Sequence, residues 1–482
     1  MQKMLLVFIG LLLLSSTVTF AQTDEWGTQY VTFDDAINGT VNRTSSVAVV
    51  APNNFVALVT RNSTAGGNLI NYLVGYVGAD SANGRLNDPQ PTGSGVGAWF
   101  FNLDQVDFSD AFQIAGGTDN LVYLANNDAN HNILVFELTA LSVISASFRM
   151  ETGTEEIWAI EVDGNGYVYV CDSNGDDTKT DEVRIYPPVT DTNAAWGTSH
   201  DSAPAGTIDL PPGKYRGITT SGDGTQVFVS QTSGRRILKF TGTPGGGYTL
   251  DASFDITLDP GDLAPQSGGA FAPSFLGLAF MDEPGLLFAA TDTVGHGGNE
   301  GGYSYGRIYV IDGANAASVD TIDVAQWNLD HAGDYSSGSN DGLWSGFTST
   351  YDVDIVASEQ AVYSQSWYGW AVEKWLFDGD LGNITNVEQI VSTVPGSFVL
   401  KQNYPNPFNP TTTIEFDVMA TKHVKLTVYN MLGQVVAILV NQSLSPGTYK
   451  ATFVGSHLTS GIYYYTLEAG SFKTVKKLVL TK

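Results

Sequence analysis

A unit of strand, tight turn, strand, loop and strand recurs along most of this chain, and it limits the fold more than any other feature. One copy runs Ile157-Trp-Ala-Ile-Glu-Val-Asp-Gly-Asn-Gly-Tyr-Val-Tyr-Val-Cys-Asp172, then a polar loop, then Glu182-Val-Arg-Ile-Tyr186. A second runs Gly217-Ile-Thr-Thr-Ser-Gly-Asp-Gly-Thr-Gln-Val-Phe-Val-Ser-Gln231, then Arg236-Ile-Leu-Lys-Phe240. The glycine in each turn supplies the positive φ that a tight hairpin requires. Looser copies lie at 46–77, 112–138, 277–311 and 351–377. Units of this size, with about four strands each, stack as blades of a β-propeller. The starts near 46, 112, 157, 217, 277 and 351 give six blades. The intervals of 66 and 74 residues leave room for a seventh, the alternative count.

Helical periodicity is nearly absent, and the 53 glycines fit a chain of many turns, so the fold class is all-β. The units at 157–186 and 217–240 resemble the NHL, YVTN and SMP-30-like propeller repeats. The shared pattern is a Gly-Ile or Trp-Ala-Ile strand, an Asp-Gly turn, a Val-Tyr-Val or Val-Phe-Val strand, and a closing aliphatic-x-x-aromatic strand. In SMP-30-like propellers, residues at second-strand ends hold a metal near the axis. Asn126, Asp172, Gln231 and Asp292 fall at comparable places. Only Asp172 and Asp292 keep a carboxylate, and no glutamate matches, which leaves a lactonase chemistry without its full ligand set.

The ends of the chain carry targeting information. Lys3, the apolar run Leu5–Leu14 and Thr19-Phe20-Ala21 form the pattern of a signal peptide over residues 1–21. A membrane span needs about 20 apolar residues, so no transmembrane segment is expected in the mature chain. The segment 398–482 contains Asn403-Tyr404-Pro405-Asn406-Pro407-Phe408-Asn409-Pro410, followed by short strands led by glycine, such as Gly447-Thr-Tyr and Gly461-Ile-Tyr-Tyr-Tyr. It resembles the type A C-terminal sorting domain of the type IX secretion system. The prolines are expected to make a stiff extended lead-in, and the remainder a small β-sandwich. The resemblance implies export through the periplasm of a diderm bacterium of the Bacteroidetes–Chlorobi kind. It also implies the type IX translocon and a sortase-like peptidase as partners, and release or attachment at the outer-membrane surface. The expected organisation is a signal peptide at 1–21, propeller cargo at 22–385, a linker at 386–397 and the sorting domain at 398–482.

Charge divides along the same boundary. The tail holds eight lysines, no arginine and three acids (Glu415, Asp417, Glu468), about +5. The remainder, without Lys3, carries about −34. Such a field repels nucleic acid and anionic membranes, and it suits cation binding or solubility in a salty exterior.

Candidate chemistry in the cargo is sparse. Asp172-Ser-Asn174-Gly-Asp176-Asp177 alternates oxygen-bearing side chains, which allows either a Ca²⁺ loop or a solvated acidic loop. It departs from the EF-hand pattern, because Asp177 stands where glycine is required and no glutamate closes it. His296 and His331 each lie beside carboxylates in glycine-rich loops, open to proton transfer, metal binding or neither. Ser81, Ser202, Thr293 and Thr321 each follow an aspartate and precede a small or aliphatic residue. This is the O-glycosylation pattern of such bacteria. Cys171, the single cysteine, lies in an apolar strand and is expected as a buried hydrophobe. Trp367, Tyr368, Trp370 and Trp375 offer either blade packing or a sugar-stacking face. No Gly-x-Ser-x-Gly, His-Glu-x-x-His or phosphate loop is present. The expected role is a non-catalytic surface or secreted propeller that binds a glycan or an envelope protein. The alternative is a Ca²⁺-assisted propeller hydrolase, lactonase or lyase.

Overall fold

A computed structural model describes residues 26–32, 42–62, 69–79, 85–86, 98–106, 108, 113–126, 132–139, 144–151, 157–172, 182–189, 199–201, 203–258, 274–291, 307–324, 350–365, 372–377, 379, 381, 387–391, 395–420, 422–431, 433, 435–444, 446–455, 458–470 and 472–481. Its strands form six sheets followed by a two-sheet sandwich; the six are antiparallel except where the short strands Ser199–Asp201 and Arg85–Leu86 add parallel outer edges to the second and sixth. From the inner strand outward, blade I is Asn42–Ala51, Asn54–Asn62, Leu69–Tyr76 and Ala98–Asn102. Blade II is Ile114–Gly116, Leu121–Ala125, Ile133–Leu138 and Ile144–Glu151. Blade III is Ile157–Val162, Val168–Asp172, Glu182–Tyr186 and Gly206–Asp209. Blade IV is Tyr215–Thr220, Gln226–Gln231 and Arg236–Thr243, with Gly247–Leu250 and Ile256–Thr257 both on its third strand. Blade V is Phe275–Met281, Leu286–Thr291, Arg307–Asp312 and Ser318–Asp323.

Blade VI takes its fourth strand from the other end of the chain. Val353–Val356, Ala361–Gln365 and Val372–Phe377 are followed in the sheet by Trp26–Thr32, antiparallel with Trp26 opposite Phe377. This pairing joins the start of the propeller to its end. Trp26 packs edge-on to Phe288, at 5.9 Å between centroids, and against Phe377 at 5.2 Å. Its indole Nε1 donates to Asp320 Oδ2 of blade V at 2.9 Å. The closing strand is therefore held by two blades.

The alternating side chains explain why the strands read as continuous apolar runs. In blade III, Val168 and Val170 enter a core shared with blade II, whereas Tyr169 and Cys171 enter one shared with blade IV. Each of six apolar clusters among the described residues is likewise shared by two neighbouring blades. A strand buried on both faces loses the apolar–polar alternation of a one-sided sheet. Cys171 is fully buried, as expected for a small hydrophobe. The described residues form six blades. The Gly277 amide of blade V donates directly to the Tyr351 carbonyl at the start of blade VI (2.8 Å), which leaves no place between them for another blade. No helix among the described residues is long and apolar enough to cross a membrane.

The tail is a sandwich of two four-stranded sheets. One sheet runs Val387–Val391, Gly447–Val454, Thr411–Val418, Val399–Leu400. The other runs Val435–Leu444, Lys422–Tyr429, Gly461–Ala469, Phe472–Leu480. Inward residues such as Ile414, Phe416, Leu426, Val428, Tyr465 and Leu467 form its core. The strand Val387–Val391 lies in the segment expected as linker. It pairs antiparallel with Gly447–Val454, so the sheet gains an edge strand from before the expected boundary.

Candidate functional site

The inner strand of every blade is an edge strand, and an edge strand exposes unpaired backbone donors and acceptors. Polar side chains close these edges from one blade to the next around the axis. Asp352 of blade VI accepts from the Val47 amide of blade I at 3.3 Å and from the Ser46 hydroxyl. Asp354 accepts from the Val49 amide at 2.6 Å. Ser46 in turn accepts from the Ile114 amide of blade II at 2.9 Å. Gln113 of blade II accepts from the Ile160 amide of blade III at 3.0 Å and donates to Asp352 Oδ1 at 3.2 Å.

Between blades IV, V and VI, glycine lets the strands themselves approach. A Cβ on Gly217 would collide with the Leu276 carbonyl oxygen of blade V, to which Ser230 also donates at 2.7 Å. A Cβ on Gly277 would collide with Asp352 and Tyr351.

Three carboxyls result near the axis. Asp352 is 3% exposed. Asp354 and Glu161 keep some solvent contact yet have protein closely packed around them. Burial pushes Asp352 up to about 7, against the pull of hydrogen bonds from Ser46 and the Val47 amide. Burial does the same to Asp354, also to about 7. Glu161 is held well above the usual carboxylate range, first by burial and then by the charge of Asp354. These groups hold blades together, and they hold protons well above the pH at which a free carboxyl would. Among the described residues no three His, Cys, Asp or Glu side chains gather closely enough to hold a metal.

The residues singled out from sequence fall elsewhere. Asp172 ends the second strand of blade III, opposite Ile157 and Glu182. Asn174, Asp176, Asp177 and Asp292 lie outside the described residues, as do His296, His331, Trp367, Tyr368, Trp370, Ser81, Ser202 and Thr293. Trp375 is buried and donates from Nε1 to Ser364 Oγ at 3.0 Å, so this aromatic packs the blade. Thr321 is half-buried in the outer strand of blade V, and its amide donates to the same Asp320 that receives Trp26. The axial set of Ser46, Gln113, Glu161, Asp352 and Asp354 was missed. Its only signal was a pair of aspartates in Asp352-Val-Asp354 at the start of an apolar strand.

The proline-rich run is not the extended lead-in expected from its composition. It folds back as a series of bends over the free edge of the last strand, Phe472–Leu480. Tyr404 and Thr413 exchange two backbone bonds, at 2.9 and 3.0 Å. Asn403 is buried, and its amide donates to Tyr465 Oη at 2.8 Å. Phe408 inserts into the sandwich core, 5.8 Å from Phe453. Its amide donates to the Val479 carbonyl, and its own carbonyl accepts from the Thr481 amide, both at 2.9 Å. Asn406 accepts from the Val479 amide at 2.9 Å and donates to the Lys477 carbonyl at 3.3 Å. Gln402 donates to the same carbonyl at 2.7 Å. Proline has no amide to offer a neighbouring strand, so asparagine and glutamine side chains supply these bonds instead.

Residues 402–481 match the family described as the secretion system C-terminal sorting domain. The chain is thus a β-propeller protein that carries a type IX sorting domain. That domain implies secretion or surface attachment in diderm bacteria of the Bacteroidetes type. No curated protein matches the chain. Among solved structures, a protein of unknown function from Bacteroides thetaiotaomicron is 12% identical, with a TM-score of 0.41, over 73% of this chain and 75% of its own. The calcium-binding protein regucalcin from Agrobacterium tumefaciens is 12% identical, with a TM-score of 0.36, over 69% of this chain and 89% of its own. The PQQ domain of a pyranose dehydrogenase from Coprinopsis cinerea is 10% identical, with a TM-score of 0.37, over 73% of this chain and 97% of its own. Likeness this distant adds nothing to what the strand pairing itself establishes.

Proposed function

We propose that this protein is exported by its C-terminal module through the type IX translocon. In this reading its propeller serves at the cell surface, or in the medium, as a non-catalytic module that binds a glycan or an envelope protein. One observation carries the second half. The axial carboxyls Asp352, Asp354 and Glu161, placed where a propeller enzyme would work, accept hydrogen bonds from inner-strand backbone and neighbouring side chains. A carboxylate engaged this way, with its pKa raised by burial, is a structural pin and a poor ligand for Ca²⁺. The signal peptide at 1–21 and removal of the tail by the sortase belong to the same proposal.

Two experiments test it. Deletion of 398–482 is expected to leave folded cargo in the periplasm, and normal surface delivery of that truncation overturns the export half. An activity screen of the purified chain against lactones, phosphoesters and polysaccharides is expected to be negative. Turnover that is abolished by Asp352→Asn overturns the binding half.

A further inference from the structure

We propose that the outward face of the sheet formed by Lys422–Tyr429, Gly461–Ala469 and Phe472–Leu480 is a binding surface for an acidic polysaccharide. The strand register sets three cross-strand rows on that face. Tyr429 stands opposite Tyr464, and Tyr464 opposite Lys477. Thr427, Thr466 and Val475 form the next row, and Lys425, Glu468 and Lys473 the third. Tyr464 is 40% exposed and Val475 57% exposed, and Ile462 extends the apolar strip beyond them. Lys473 and Lys477 are exposed on either side of Val475. The Thr466 hydroxyl is nine-tenths buried within this face and has no hydrogen-bond partner.

The chemistry fits a charged sugar chain better than other polyanions. Exposed tyrosine rings offer flat apolar surface to the C–H faces of a pyranose, with a hydroxyl at the rim. Lys473 and Lys477 lie four residues apart on one strand, about 13 Å. That spacing suits a polymer with one carboxylate per sugar or two. Glu468, which accepts from Lys473 at one end of the face, offers an acceptor to a sugar hydroxyl, and the phosphodiester backbone of DNA has no hydroxyl to donate to it. The face holds no arginine, the usual fork for phosphate. A lipid surface would ask for more insertable apolar side chains than Ile462, Tyr464 and Val475 supply. The same charge logic assigns the polymer to this module, because the module is about +5 and the rest of the mature chain about −34. This inference concerns the sorting module and stands independently of what the propeller binds.

The test is direct binding of the full-length chain to polygalacturonate, with neutral dextran, single-stranded DNA and anionic phosphatidylglycerol vesicles alongside. Polygalacturonate is expected to bind at low salt and to weaken as salt rises. Tyr464→Ala and the double substitution Lys473→Ala/Lys477→Ala are each expected to weaken it about tenfold. Because all three side chains are exposed, both variants are expected to melt as the unsubstituted chain does. Dextran, DNA and vesicles are expected to bind at least tenfold more weakly. Failure of polygalacturonate to bind overturns the proposal. So does binding that neither variant changes, or DNA or vesicles binding as tightly as polygalacturonate.

Discussion

Replacing Asp352 with asparagine isolates the electrostatic load at the propeller axis. Burial raises this carboxyl to about 7, whereas an unfolded aspartate titrates near 3.9. The native state therefore binds the extra proton between these two values. Stability from this group is fully present below the unfolded pKa and falls as pH rises to about 7, after which it is flat. Three pKa units correspond to about 4 kcal/mol across the whole window. Between pH 5.5 and 8.5 only the upper half is sampled, about 2 kcal/mol. Asparagine cannot ionise, so its stability lacks this slope.

It also loses something. Asparagine presents one acceptor and one donor where the carboxylate takes bonds from Ser46, the Val47 amide and Gln113, so one partner is left short, at about 1–2 kcal/mol at every pH. The difference between the two proteins is thus expected to be negative at pH 5.5 and near zero or positive at pH 8.5. For a propeller of about 360 residues, the unfolding entropy converts 2 kcal/mol to roughly 3 °C. Calorimetric melting of both chains at pH 5.5, 7 and 8.5 reads this change in the Tm difference. A Tm difference that stays constant within a degree across that range would refute the reasoning.

Other substitutions probe the remaining joints. Trp26→Ala removes the ring packed on Phe288 and Phe377 and the donor to Asp320, and is expected to cost about 3 kcal/mol, seen as a Tm loss of some 4 °C. Gly217→Ala places a methyl against the Leu276 carbonyl of the next blade and is expected to cost at least as much, or to prevent soluble expression, whereas the exposed Gly245→Ala is expected to be silent. Asn406→Ala leaves the Val479 amide without its side-chain partner and is expected to destabilise the sandwich by about 1–3 kcal/mol, measured by protection of the last strand from hydrogen exchange. Addition of EDTA is expected to leave the Tm of the propeller unchanged. A drop that Asp172→Ala reproduces would instead place a calcium ion at the loop after Asp172.

What the sequence made legible was what local pattern encodes. The turns Asp163-Gly-Asn-Gly166 and Asp223-Gly224, with their flanking aliphatic runs, located the hairpins of blades III and IV because turn chemistry and strand period are short-range properties. The sorting motif was legible because asparagine and proline alternate in a pattern few other segments share. Features that depend on closing the ring were not legible. Trp26–Thr32 finds its partner some 345 residues away, and seven residues carry no signal of that distance. The axial pins were hidden for the same reason, since Ser46, Gln113 and Asp352 come from three blades and meet only at the axis. Val387–Val391 read as linker because it precedes the sorting motif and its Val-Glu-Gln-Ile-Val sequence lacks strand alternation, although it pairs as an edge strand. The proline run misled in shape: its prolines do block pairing, but its asparagines turn it back onto the sheet.

The central claim is that the C-terminal sandwich is a self-contained export label on a propeller that does its work elsewhere. Its most direct measurement is to attach residues 387–482 to an unrelated, signal-bearing folded protein in a bacterium with a type IX system, and to locate the product by fractionation and surface labelling. Arrival of the passenger outside the outer membrane, lost again on Asn406→Ala/Phe408→Ala, is the result expected. A passenger that remains in the periplasm while the native chain is exported would contradict the claim.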